Sequence, residues 1–216
     1  MTHQKRLSAP KHYPIKRKQN TYVSTIKGSR SSENAIPVVL FLRDVLEYAD
    51  TEKEAKEIVR KGQILRNGEP VRDIKEGVGI LDIIEIKETE EIYRGIRKGK
   101  YIEFIPVEDK RAFTKIVGKT VQDEDYVYRL HNGENYRTGD EYSTGNTLMF
   151  KDETVKELEL EEGSEVLVIK GKHAGKTGEL EEIERRGNEK SGKVTNGETF
   201  ETNIENLVAI EEMEVE

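Results

Sequence analysis

The sequence predicts an α+β chain of several small modules rather than one large core. Three observations lead there. Hydrophobic residues make up 34% of the 216 positions against 37% charged, with no Trp and five Phe, which is little apolar bulk for a single interior. Helical spacing of apolar residues is confined to a stretch that starts near Pro37 and stops at Gly62. From about residue 91 the apolar residues alternate in short runs bounded by Asn-Gly pairs, the pattern of strands joined by tight turns. The expected organisation is a basic arm over 1–34, a helical hairpin with short strands over 35–90, a β-rich centre over 91–160, and a β unit with an acidic tail over 161–216.

The arm holds Pro10, Pro14, Tyr13, Tyr22 and the run Gly28-Ser29-Arg30-Ser31-Ser32, without a period. It is therefore expected to lack a core of its own and to order on a partner. Next, PVVLFLRDVLEYA places Val38, Leu42, Val45 and Ala49 at helical spacing, with Pro37 suited to the first turn. Thr51 and Glu54 form a capping-box pair that should open a second helix, with Ala55, Ile58 and Val59 inward and Gly62 as terminator. Gln63–Arg66, the Asn67-Gly68 turn and Pro70-Val71 read as a hairpin, and Ile80–Ile86 as one closing strand. Further strands are expected at 101–105, 126–130, 147–150, 155–160, 165–170 and 207–210, with turns at Asn132-Gly133 and Asn196-Gly197.

Composition excludes several functions. Without cysteine there is no disulfide, thiolate metal site or cysteine nucleophile. His3, His12, His131 and His173 have no metal-ligand spacing, so no metal is expected. The apolar run IPVVLFL at 36–42 is too short to span a bilayer, and no apolar segment follows the polar N-terminus. A soluble cytoplasmic protein is expected, with no membrane partner. The net charge of −7 hides an asymmetry: residues 1–34 carry eight Lys or Arg against Glu33, net +7, which leaves −14 on the remainder. A basic arm on an acidic body points to a polyanion partner. The acidity of the body fits solubility in a salt-rich cytoplasm or plain charge drift.

The stretch GKHAGKTG at 171–178 follows a strand and ends in Gly-Lys-Thr, like a phosphate-binding P-loop. Only three residues separate Gly171 from Gly175, one fewer than that loop needs to wrap a phosphate. Too little chain follows for a nucleotide-binding sheet. The residues match a KOW motif instead: VLVIKGKHAGKTGELEEI has glycines at Gly171, Gly175 and Gly178 and apolar positions at Leu180 and Ile183. That resemblance implies a small SH3-like β-barrel whose turn touches RNA or protein. Glycines allow close backbone approach, and Lys170, Lys172 and Lys176 can neutralise phosphates, with His173 adding a hydrogen bond or a stack.

PVVLFLRDVLEYADTEKEAKEIVRKGQILRNGEPVRD resembles the alpha-L RNA-binding motif. By position this implies contacts from Arg43, Arg60, Lys61, Arg66 and Arg72, with Gly62 and the Asn67-Gly68 turn setting the shape. KRLSAPKHYP, the helix in IPVVLFLRDVLEYA and the closing FETNIENLVAI complete a resemblance to one family, the archaeal and eukaryotic small-subunit ribosomal protein four, "e" type. The resemblance implies a structural, non-catalytic protein that clamps small-subunit ribosomal RNA and meets neighbouring ribosomal proteins, with no cofactor and no small-molecule substrate. The arm's expected contacts are then Lys5, Arg6, Lys11, His12, Lys16, Arg17, Lys18, Lys27 and Arg30, with Tyr13 and Tyr22 as candidate stacking residues. Two alternatives stand beside it: a KOW-bearing transcription or translation regulator, and an RNA-modifying enzyme, for which 91–160 is too short and β-simple to be the catalytic part.

Overall fold

The computed structural model describes residues 3–151, 154–187 and 189–213. The ends of the arm and of the acidic tail, 1–2 and 214–216, lie outside the described residues. The chain gathers into two compact units, 1–96 with 100–110, and 97–99 with 111–216.

In the first unit the arm is not a bare tail. Strands β1 (Gln4–Lys5) and β2 (Tyr22–Val23) pair antiparallel. Ala9 and Tyr13 are buried in the same core as Phe41, Leu42, Ala55 and Val59. The expectation of a coreless arm is corrected here: two small patches of arm surface find their apolar partners in the module that follows.

Strand β3 (Ala35–Pro37) runs into helix α1 (Val38–Leu40), which widens to a π turn over Phe41–Val45. Its first N–H groups, lacking partners within the helix, donate to the 74–76 loop: Val38 to Glu76 O and Val39 to Ile74 O, both at 2.9 Å. The helix ends before the expected Ala49, because Leu46 N–H reaches back to Phe41 O and Glu47 turns left-handed at φ +57°. Helix α2 (Glu52–Arg60) opens with the expected capping box: Glu54 N–H donates to Thr51 Oγ1, and Glu54 Oε2 accepts from Thr51 N–H and Asp50 N–H. These bonds, the one from Asp50 foremost, hold the Glu54 carboxyl below its ordinary pKa. The helix stops at Gly62, φ +67°.

Strands β4 (Ile64–Arg66) and β5 (Glu69–Pro70) form the expected hairpin, with Asn67 and Gly68 at φ +50° and +85°. Of the expected strand 80–86 only β7 (Ile83–Ile86) forms, pairing with β4, while the short β6 (Gly77–Gly79) precedes it and pairs with β3. The break is built around Leu81, at φ +65°, and the buried Asp82. Asp82 accepts from Gly79 N–H at 2.7 Å, from Asn67 Nδ2 at 2.9 Å and from both terminal nitrogens of Arg30, one at 2.8 Å. One carboxylate thus ties the arm, the Asn-Gly turn and the strand break together. Strands β8 (Glu91–Lys98) and β9 (Tyr101–Pro106) extend the sheet to the order β5-β4-β7-β8-β9, so the chain past 91 continues this unit rather than opening a new one.

The second unit is antiparallel throughout. Strands β10 (Ala112–Gln122), β11 (Asp125–Leu130), β12 (Asn135–Thr138), β13 (Thr147–Lys151) and β14 (Thr154–Leu158) lie in the order β12-β11-β10-β13-β14. The long β10 changes partner midway, pairing first with β13 and then, past an irregularity at Ile116/Gly118, with β11. Ile116, Tyr128, Leu130 and Leu148 form its core. Strands β15 (Glu165–Val168), β16 (Thr177–Arg186), β17 (Glu189–Asn196), β18 (Glu198–Asn203) and β19 (Leu207–Ala209) make the other sheet, order β18-β17-β16-β15-β19, over Val166, Val168, Leu180, Val194 and Leu207. Among the described residues no helix is long and apolar enough to cross a membrane.

Candidate nucleic-acid interface

The basic residues of the arm divide by type. Arg6 is buried and donates from Nε to Tyr22 O at 3.2 Å and from Nη1 to Lys16 O at 2.9 Å. Arg17 donates to Ala9 O at 2.8 Å and Pro10 O at 2.7 Å. Arg30 is buried on Asp82, and His12 is buried with a ring nitrogen 3.1 Å from Ala35 O. These four side chains, expected as RNA contacts, are tied internally: Arg6, Arg17 and His12 to backbone carbonyls and Arg30 to the Asp82 carboxylate. Lys5, Lys11, Lys16, Lys18 and Lys27 remain exposed. Tyr13 is 3% exposed and its hydroxyl is pushed up to about 12 by burial, so it is core, not a stacking surface. Tyr22 stays 56% exposed, its ring 5.3 Å from that of His3.

The helical module divides in the same way. Arg43 is tied to its neighbour Asp44 at 2.8 Å, and Arg66 donates to Gly77 O at 3.0 Å with Glu76 at 3.5 Å. Arg60, Lys61 and Arg72 are exposed. The fold collects some of these exposed cations in an open groove of about 710 Å³ lined by the arm at 25–27, helix α2 and the loop at 72–75. Lys27, Lys56, Arg60, Arg72 and Lys75 line it against Glu52 and Asp73. The arm wall is fastened by Lys27 N–H to Lys75 O at 2.8 Å and by the Lys27–Asp73 ion pair at 3.0 Å. The Lys75 N–H, and then Lys27, hold the Asp73 carboxyl below its ordinary pKa. Lys56 and Lys75 are additions to the residues expected from the sequence. Lys56 has a readable signal, one helical turn before Arg60 on the same face; Lys75 has none, since only the loop closure brings it in.

The glycine turn joins β15 to β16. Gly171 and Gly175 sit at φ +90° and +91°, which only glycine adopts without strain. Gly175 N–H donates to Val168 O at 2.8 Å, and Val168 N–H to Lys176 O at 2.9 Å. Close backbone approach occurs within the chain: a Cβ on Gly175 would lie 2.0 Å from Arg97 O, and one on Gly178 2.7 Å from Thr195 O. Lys170, Lys172 and Lys176 point to solvent. The His173 ring stacks on Phe200 at 4.4 Å and 19°, and Lys176 Nζ stands 5.3 Å over the same ring. Phe200, which the sequence offered only within the closing FETNIENLVAI stretch, is thus the platform beneath the turn.

Among the described residues no group of His, Asp and Glu could hold a metal ion. What the geometry offers is a set of exposed cations in each unit, suited to phosphates.

The KOW motif model matches residues 162–195. The chain is 35% identical to small ribosomal subunit protein eS4 of Natronomonas pharaonis, over 97% of this chain and 95% of that one. It is 36% identical to the eS4 protein of Archaeoglobus fulgidus, over 82% and 78%. The crystal structure of 30S ribosomal protein S4e from Thermoplasma acidophilum superposes with a TM-score of 0.66 at 24% identity, covering 82% of this chain and 95% of that one. Near-complete coverage at this identity, together with the shared fold, places the chain in the small ribosomal subunit protein eS4 family.

Proposed function

We propose that the chain is a structural constituent of the small ribosomal subunit that holds ribosomal RNA through the arm and helical module, including the groove between them, and through the glycine turn. The observation that carries this reading is similarity over nearly the whole length to archaeal eS4 proteins. As a family member it is a ribosomal building block and not an enzyme. The contacts we assign are Lys5, Lys11, Lys16, Lys18 and Lys27 of the arm, Arg60, Lys61 and Arg72 of the helical module, and Lys170, Lys172 and Lys176 of the turn, all exposed. On this reading residues 35–90 serve as the alpha-L module, and the sheet β15–β19 closes as the SH3-like barrel that displays the turn. Support comes from the capped helix, the Asn-Gly hairpin and the five-stranded antiparallel sheet whose strands β15–β17 carry the KOW match. On RNA duplexes such contacts address phosphates and 2′-hydroxyls rather than base edges.

Sedimentation of a native lysate at low magnesium tests the proposal. The protein should travel with the small subunit and stay there through a moderate-salt wash. Migration at the top of the gradient, or with RNA polymerase, would overturn the ribosomal reading and favour a free RNA-binding regulator.

A further inference from the structure

A cavity of about 530 Å³ lies within the second unit, next to the start of the glycine turn. Its lining holds Lys115 from β10, Lys170 and Lys190, together with His131 and one carboxylate, Glu205. Lys115 is 5% exposed and donates from Nζ to Ile204 O at 2.7 Å and to Leu207 O at 2.5 Å. An ammonium has three donors, and carbonyl dipoles supply no countercharge. Among the described residues none of the three lysines forms an ion pair; Glu205 reaches Lys115 only as a longer-range attraction. A buried cation without a paired anion is costly. An anion entering would relieve it. Ile116, Val117, Leu130, Ile169 and Ile204 give the lining an aliphatic side, and the volume falls within the roughly 300–1,000 Å³ usual for ligand sites.

Three lysines in one lining, beside an apolar wall, match a ligand with a phosphate at one end and a flat, weakly polar body at the other. We propose that this cavity takes one phosphate-bearing nucleotide, its phosphate among Lys115, Lys170 and Lys190 and its base or ribose over the aliphatic wall. A folded RNA would present such a nucleotide unstacked, in a loop or bulge. Only this source depends on the RNA-binding reading above; the pocket chemistry does not.

Titrations of the full chain followed by amide NMR distinguish the sources. Adenosine 5′-monophosphate and a single-stranded RNA hexanucleotide should both shift the amides of Gly133, Thr144 and Gly145, which line the cavity, whereas adenosine without phosphate should not. At least tenfold tighter binding of the hexanucleotide supports an RNA source, and equal affinity supports a free nucleotide. Lys170→Ala/Lys190→Ala changes two exposed side chains and should remove about 1.4 from the slope of log K against log salt for the hexanucleotide, at about 0.7 per single-strand phosphate neutralised. A pair of exposed lysines elsewhere, Lys87→Ala/Lys100→Ala, should leave that slope unchanged. The pocket is overturned if neither phosphate ligand shifts the lining amides, or if the two pairs of variants change the slope equally. Such a result combined with co-sedimentation of the chain with the small subunit would leave the ribosomal reading intact.

Discussion

The arm and the glycine turn are both basic, both glycine-bearing, and read alike in the sequence as polyanion contacts, yet they use their cations in opposite directions. In the arm, Arg6, Arg17 and Arg30 face inward onto carbonyls and a carboxylate. In the turn, Lys170, Lys172 and Lys176 all remain exposed. The difference follows from side-chain chemistry. A guanidinium offers five donors in a planar fork and is weakly hydrated, so it can cross-link an irregular segment that has many unpaired carbonyls. An ammonium is compact and strongly hydrated, so it stays in water unless geometry compels otherwise. Net charge therefore overstates what the arm can offer to RNA, and the lysines are the better guide.

Breaking the arm's internal ties should have the largest effect. Asp82→Ala removes the carboxylate that Arg30, Asn67 and Gly79 share, leaving a buried guanidinium without its anion. Removing one partner of a buried pair costs about 3–5 kcal/mol. Chemical denaturation should show that drop, with faster proteolysis in the arm; a decrease below about 1 kcal/mol would mean the arm is held mainly by Ala9 and Tyr13.

Lys115 sharpens the comparison, since it is a lysine used as the arm uses its arginines. Burial lowers its pKa from 10.5 to about 8, with Glu205 opposing in part. The unfolded chain therefore binds more protons than the folded one between those values, and stability rises with pH across that window. Above it the full contribution is present; as pH falls through about 8 the contribution is lost. Urea unfolding of the wild type minus Lys115→Met should give a difference that is flat below about pH 8 and climbs above it. A flat difference throughout would show that the ammonium is well solvated.

The smallest effect concerns local capping, far from either basic region. Thr51→Ala removes one half of the capping box and should cost about 1 kcal/mol in denaturant unfolding, without altering RNA affinity. Weakened RNA binding in that variant would mean that α2 frays and that the groove depends on its first turn.

Which features the sequence disclosed follows the same division between local and distant causes. The Thr51–Glu54 box, the Gly62 stop, the Asn67-Gly68 turn and the glycines of the KOW match are decided by residues a few positions apart, and all four are in place. The burial of His12 is decided by Ala35, 23 residues on, and that of Arg30 by Asp82, 52 residues on, so neither left a local signal. The expected strand 80–86 failed for the same reason, since Asp82 serves the arm rather than the ladder. The groove cations and the Phe200 platform likewise exist only once separate segments meet.

The salt dependence of binding to small-subunit ribosomal RNA tests the inward-arginine, outward-lysine account most directly. Lys172→Ala/Lys176→Ala should lower the slope of log K against log salt by about 1.4–1.8, at about 0.7–0.9 for each phosphate no longer neutralised. Arg6→Met/Arg17→Met, measured on protein that remains folded by circular dichroism, should leave the slope unchanged while lowering stability. The opposite pattern, an unchanged slope for the lysine pair and a reduced one for the arginine pair, would contradict the account.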